Sequence, residues 1–311
     1  MSVQNLMNEA EQRIKAKEVF TVVDANGEIR DDVKVITPLM QEQAQKKKEM
    51  VTYKNKSENP FIFTEMDGVK FVELTTLENK QLGYFLVMQT YIDYDNMLRA
   101  KGAKLPMKPV ELRKAFKITD TRTFNKIMAV FEELGLIYKK EVEMYGKSYE
   151  AIFVNDKYCF KKGLQGDNKN RKTVTAVKIF IDTLQEVFEQ KKVTAGDVGI
   201  IYKAIQYLHY NSNVLAQNPS EMDEAFVQPL DMEEFADALG MSRQGIHKKL
   251  IALKYPCTYR EQEVELKVFA RVQVGKHTFL KLNPFVAWRK AGEPPVESYI
   301  EFIMEYNKRT K

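Results

Sequence analysis

The residues best suited to chemistry lie on two short basic stretches. In ALGMSRQGIHKKLIALK (238–254), Arg243, Gln244, His247 and Lys248 fall on one side of a helix and Ile246, Leu250 and Leu253 on another, at about 100° per residue. TRTFNKIMAVFEELG (121–135) repeats the layout. Phe124, Ile127, Met128, Phe131 and Leu134 form its apolar stripe, and Arg122, Asn125, Lys126 and Ala129 face the other way. Arg, Asn and Gln can read base edges by paired hydrogen bonds, and Lys binds phosphate or guanine. Small Ala129 and Gly245 would let the backbone approach a groove, and hydroxyls at Ser242 and at Thr119 or Thr121 could cap a helix or meet phosphate. A basic helix face alone also suits simple solvation. Two such faces, each third in a run of helices and each followed by a hairpin with a basic tip, favour duplex DNA. The expected contact set is Thr121, Arg122, Asn125, Lys126 and Lys147 in one part of the chain. In the other it is Ser242, Arg243, Gln244, His247, Lys248, Lys276 and His277.

The elements that must hold these residues follow from periodicity and turn signals. Residues 1–60 read as an N-terminal extension with a possible hairpin at Asn26-Gly27 and a charged helical stretch, QEQAQKKKEM. Residues 68–163 read as a first unit. GVKFVELT is expected to be a strand, and Thr75 with Glu78 has capping-box spacing and opens a helix to about Ala100. KPVELRKAF is a second helix and 121–135 a third, closed by Gly135. Strands LIYKKEVEM and SYEAIFVN then flank Tyr145-Gly146-Lys147. LQGDNKNRKTV (164–174) is a linker whose Lys169, Arg171 and Lys172 could touch phosphate.

A second unit, 175–292, follows the same order: helix TAVKIFIDTLQEVFEQ, helix DVGIIYKAIQYLHY, a polar loop, PLDMEEFADALG, then 243–254. EVELKVFARVQV is expected to be one alternating strand, returned by HTFLKLNP. Residues 293–311 form a C-terminal helix. Its stripe of Tyr299, Ile300, Phe302, Ile303 and Tyr306 suits packing on the chain's own second unit, or a homodimer through 295–311.

The units look like duplicates. Aligning Asn155 with Asn283 brings Phe160 onto Trp288 and Lys161-Lys162 onto Arg289-Lys290. The layout of helices and hairpin resembles the winged helix, in which the third helix enters the major groove and the wing touches backbone or minor groove. That resemblance implies an α+β, mainly α fold of two tandem winged-helix domains. The ending Asn283, Pro284, Trp288, Arg289, Gly292 resembles replication initiators of Gram-positive plasmids and phages, although the first unit has Asp156 at the place of the proline.

Other chemistry finds little support. The chain of 311 residues has a net charge of +5, with 48 Lys+Arg against 43 Asp+Glu. It has no GxxxxGK[ST] or GxGxxG, and its three histidines form neither HxH nor HExxH. Asp93 and Asp95 would diverge by about 200° on a helix. Cys159 and Cys257 read as small hydrophobes and Trp288 as packing. No catalytic residue, metal or cofactor is expected, and no enzyme activity. No run of about 18 apolar residues suggests a membrane span, and the polar N-terminus is no secretory signal. The cytoplasm of a bacterial or phage-infected cell is the expected place. Three functions fit: a sequence-specific double-stranded DNA binder in plasmid or phage replication initiation or segregation, a DNA-binding transcription regulator, and a protein-interaction scaffold. Replication or transcription machinery would be a further partner.

Overall fold

The structure is a computed structural model that describes residues 60–161, 176–259, 262–274, 277–290, 292–295, 298 and 301–302. The chain divides into units Met1–Glu58 and Asn59–Lys311, and every described residue lies in the second.

Two short apolar runs organise it. FIFTE forms β1 (Phe61–Glu65) and AVKIF forms β5 (Ala176–Phe180). They pair antiparallel at the centre of a sheet ordered β10-β5-β1-β4, with β4 at Cys159–Phe160 and β10 at Ala287–Trp288. β5 is buried along its whole length, as a strand covered on both faces must be. After β1 come a 3-10 turn (Met66–Lys70), α1 (Val72–Thr75), α2 (Asn79–Gln89), α3 (Pro109–Ala115) and α4 (Thr121–Glu133). The hairpin β2 (Ile137–Met144) and β3 (Lys147–Val154) then leads to β4. After β5 come α5 (Ile181–Glu189), α6 (Ala195–Ile205), α7 (Met232–Ala238) and α8 (Arg243–Ala252). Two hairpins follow before β10: β6 (Lys254–Tyr259) with β7 (Gln262–Lys267), and β8 (Phe269–Val274) with β9 (His277–Leu282).

The two halves repeat down to single hydrogen bonds. Asn96 and Asn213 are both buried and both left-handed, at φ 62° and 57°. The Asn96 side-chain amide donates to the carbonyls of Val154 and Cys159, and that of Asn213 to Leu282 and Ala287. Lys161 donates to the Ile92 carbonyl and lies over the Tyr94 ring; Arg289 donates to the Leu208 carbonyl and lies over the Tyr210 ring. Asn155 donates to Gly135 and accepts from the Lys157 N–H, while Asn283 donates to Lys267 and accepts from the Phe285 N–H. The alignment of Asn155 with Asn283 therefore has a geometric counterpart.

The halves are related by an approximate two-fold axis. Equivalent strands that pair antiparallel must be so related, and Phe63 faces its equivalent Lys178 across the β1–β5 pair. The axis also passes between α2 and α6, which touch backbone to backbone. A Cβ on Gly83 would lie 1.7 Å from the Ala195 carbonyl oxygen, and one on Gly199 1.9 Å from that of Asn79, the mirrored contact. Only glycine allows such an approach. Around this crossing Phe85 meets Phe131, Tyr158 and Tyr202, and a single core cluster runs through both halves.

The expectation of a mainly α fold of two tandem winged-helix domains is corrected. The described residues form an α+β fold with 8 helices and 10 strands, 38% helical and 27% strand, in which the winged helix is not confirmed. Strand content exceeds the expectation because short buried runs show no alternation, so TAVKIF reads as helix although it holds β5. EVELKVFARVQV is two strands. Its buried Val268 donates to the Leu253 carbonyl, and β7 and β8 on either side take different partners. GVKFVELT forms the 3-10 turn and α1 rather than a strand. The helix expected from Thr75 to Ala100 starts after Glu78, whose N–H donates to the Gln81 side chain, and stops at Gln89. Asp93 therefore sits in a turn, accepting the N–H groups of Asp95 and Met97. The extension apart from residue 60, the linker 164–174, Lys276 and most of the C-terminal stripe lie outside the described residues. Of that stripe, Phe302 is buried in the core, and neighbouring Glu301 pairs with Lys281 of β9.

Candidate nucleic-acid interface

Helices α4 and α8 start from matching frames. Lys117 and Gly240, both left-handed at φ 57° and 64°, end the preceding turns. Phe124, Met128 and Phe131 on α4, and Ile246, Leu250 and Leu253 in and just after α8, are buried at equivalent positions. The remaining equivalences follow by counting. Thr121 matches Arg243, Arg122 matches Gln244, Asn125 matches His247 and Lys126 matches Lys248. His247 is half-buried and the other seven side chains are exposed. The fold thus brings the residues of each expected helix face together, and puts the two sets in corresponding places.

The helix starts differ electrically. Ser242 caps α8, its Oγ accepting the Gly245 N–H at 3.1 Å. That neutral cap brings no charge of its own to the positive end of the helix dipole. At α4 the cap is Asp120, not Thr119 or Thr121. Its carboxylate accepts the Thr123 hydroxyl and the N–H groups of Thr123 and Arg122, bonds that hold its pKa below the usual carboxylate value. A phosphate at this end of α4 would meet a fixed negative charge. Thr121 Oγ accepts from the Arg113 guanidinium, which also donates to the Thr119 carbonyl.

Lys147 is exposed at the start of β3, beside the left-handed Tyr145-Gly146 turn, and Tyr145 is exposed as well. His277 opens β9. Arg243, Gln244 and His247 line an open groove of about 830 Å³ between α7, α8 and the β8–β9 hairpin, with Arg271 on the hairpin and Asp231, Glu233 and Glu234 on the α7 side.

Charge separates the halves further. Residues 88–120, from the end of α2 to the cap of α4, hold seven Lys or Arg and four Asp or Glu. The equivalent stretch 204–242 holds seven acidic residues and no Lys or Arg. Lys104, Lys108 and Lys114 are exposed there and were not among the expected contacts. Comparing charge between aligned stretches would have found them.

No family model, curated protein or solved structure matches this chain. Among the described residues no helix is long and apolar enough to cross a membrane, and no cluster of His, Cys, Asp or Glu could hold a metal ion. Cys159 is buried and its thiol is pushed up by burial, so it is a poor nucleophile.

Proposed function

We propose that the protein binds duplex DNA sequence-specifically through α4 and α8. The observation that carries this reading is the equivalence of two polar quartets, exposed at every place but His247, on two equivalent helices. Solvation alone asks for no particular residue at any of these places, yet Arg, Asn, Gln, His or Lys fills seven of the eight. The first half supplies most of the attraction for phosphate, through Lys104, Lys108, Lys114 and Lys147, and the second half reads bases with Arg243 and Gln244. The setting we favour is replication initiation or segregation on a plasmid or phage, by the likeness of the Asn283–Gly292 ending. Asn283 and Arg289 in that ending hold the fold, so the likeness bears on architecture before role.

The test is equilibrium binding to a labelled duplex selected from random and parental-genome DNA. Affinity should fall by about 10³-fold or more between roughly 50 and 200 mM salt if about six phosphates are neutralised. A flat response would sink the reading and leave a protein-docking role. Arg243→Ala and Gln244→Ala should each cost about 1–3 kcal/mol on the selected site and little on random DNA, while Lys248→Ala weakens both. Selected sites clustered beside a replication origin fit the favoured setting; a single site over a promoter would make the protein a transcription regulator.

A further inference from the structure

Resting on that reading, we infer that one chain recognises a single DNA site made of two half-sites in opposite orientation and of unlike sequence. The argument comes from the axis, not from the helices alone. A two-fold relates the halves at the Phe63–Lys178 pair and again at the Gly83–Gly199 crossing. Elements related by a two-fold lie at the same height along the axis, on opposite sides, and their directions across the axis are reversed. Helices α4 and α8 are such a pair. B-DNA has local two-fold axes perpendicular to its length, which exchange its strands. A protein whose two reading helices obey a two-fold meets the duplex with the axes superposed, as paired readers of half-sites about one helical turn apart do. The base sequence presented to α8 is then read 5′ to 3′ on one strand, and that presented to α4 on the other. A direct repeat needs readers related by translation along the duplex, and the antiparallel pairing of β1 with β5 is incompatible with translation.

The inversion would be hidden in the natural site. Three of the four matched positions differ, Thr121 against Arg243, Arg122 against Gln244 and Asn125 against His247, and only Lys126 and Lys248 agree. Arginine favours guanine and glutamine favours adenine, so the half-sites differ where Arg122 and Gln244 reach. The site would not look palindromic although its readers are two-fold related.

A graft exposes the symmetry. In the full-length chain, Thr121→Arg, Arg122→Gln and Asn125→His give α4 the α8 set, and all three positions are exposed. The wild type and the graft are each taken through selection from random duplex DNA, with circular dichroism to confirm that the graft is folded. The expected result is an asymmetric consensus for the wild type and an inverted repeat of its α8-type half for the graft. The graft should also bind that inverted repeat about tenfold or more tighter than the wild type does. A direct repeat, or a graft consensus identical to the wild-type one, would overturn the two-fold arrangement while leaving DNA binding intact. Enrichment of no sequence by the wild type would instead overturn the DNA reading itself, and this inference with it. The reverse graft, Arg243→Thr with Gln244→Arg and His247→Asn, repeats the test should the first variant fail to fold. It should give an inverted repeat of the other half.

Discussion

Asn96 and Asn213 each do two things that no other side chain combines. Asparagine tolerates the left-handed region, and its amide reaches two buried carbonyls, 2.8 and 3.2 Å away at Asn213. Asn213→Gly keeps the backbone relaxed and removes both bonds, which should cost about 1–3 kcal/mol. Asn213→Ala should cost about 1–2 kcal/mol more, because a Cβ disfavours positive φ. Urea unfolding measures both; equal costs would remove the backbone argument, and no cost for glycine would remove the hydrogen bonds. Asp197 gives a pH prediction. Burial pushes its carboxyl up, but hydrogen bonds from Lys249 (2.6 Å) and from the Thr194 hydroxyl and N–H outweigh burial and hold it below the ordinary carboxylate value. A depressed folded pKa adds stability that is complete above the unfolded pKa and is lost as pH falls through the folded one. The chain should therefore lose stability below about pH 4. Asp197→Asn should flatten that acid limb, and an unchanged limb in pH-dependent melting would remove Asp197 from the account.

At the scale of elements, the α2–α6 crossing is the firmest point. Gly83→Ala or Gly199→Ala puts a methyl group into a carbonyl oxygen, and neither backbone can withdraw without moving its helix. Each should cost about 1–3 kcal/mol, and toward the upper end because the obstacle is backbone, as overpacking of a tight contact does. Gly196→Ala on α6, where a Cβ would meet only the Thr194 hydroxyl at an ordinary 3.6 Å, is the control. Denaturant midpoints that match for all three would show that the helices do not touch as described. This crossing was not legible in the sequence, because a glycine in an apolar helix looks like any weak helix former. The exposed faces of α4 and α8 were legible, since apolar residues at helical spacing declare the buried side. The repeat was legible in further places. TYIDYDNML (90–98) and QYLHYNSNVL (206–215) carry the matching Tyr91/Tyr207, Tyr94/Tyr210 and Asn96/Asn213, offset by one inserted residue. The central sheet was not legible, because β4 and β10 are two residues long and owe their strand form to β1 and β5.

At the scale of the whole molecule, the shared sheet decides how the halves behave apart. Cut after residue 161, the first half keeps β1 and β4 but loses β5 from the other edge of β1. An exposed apolar edge recruits another strand, and the most complementary strand available is β1 of a second copy. The fragment 60–161 should therefore dimerise about the former axis, with Gly83 against its own copy. A monodisperse monomer in sedimentation velocity at tens of micromolar would contradict this. The intact chain should bind a two-half site far more tightly than either fragment in its monomeric form, because its second contact is intramolecular.

The axis through Gly83 and Gly199 also bears on dosage. A homodimer built about such an axis would fall apart on dilution, and the occupancy of its site would rise with the square of its concentration. Here both halves belong to one chain, so if α4 and α8 read DNA as proposed, their pairing is a folding step with no dependence on copy number. Occupancy then follows the first power of concentration, and a cell holding a handful of molecules would keep all of them competent. Joining the halves has a second effect. In a homodimer every substitution appears twice, whereas here the shared position holds Arg122 in one half and Gln244 in the other. A joined pair can therefore abandon the palindrome without abandoning the symmetry that aims its helices.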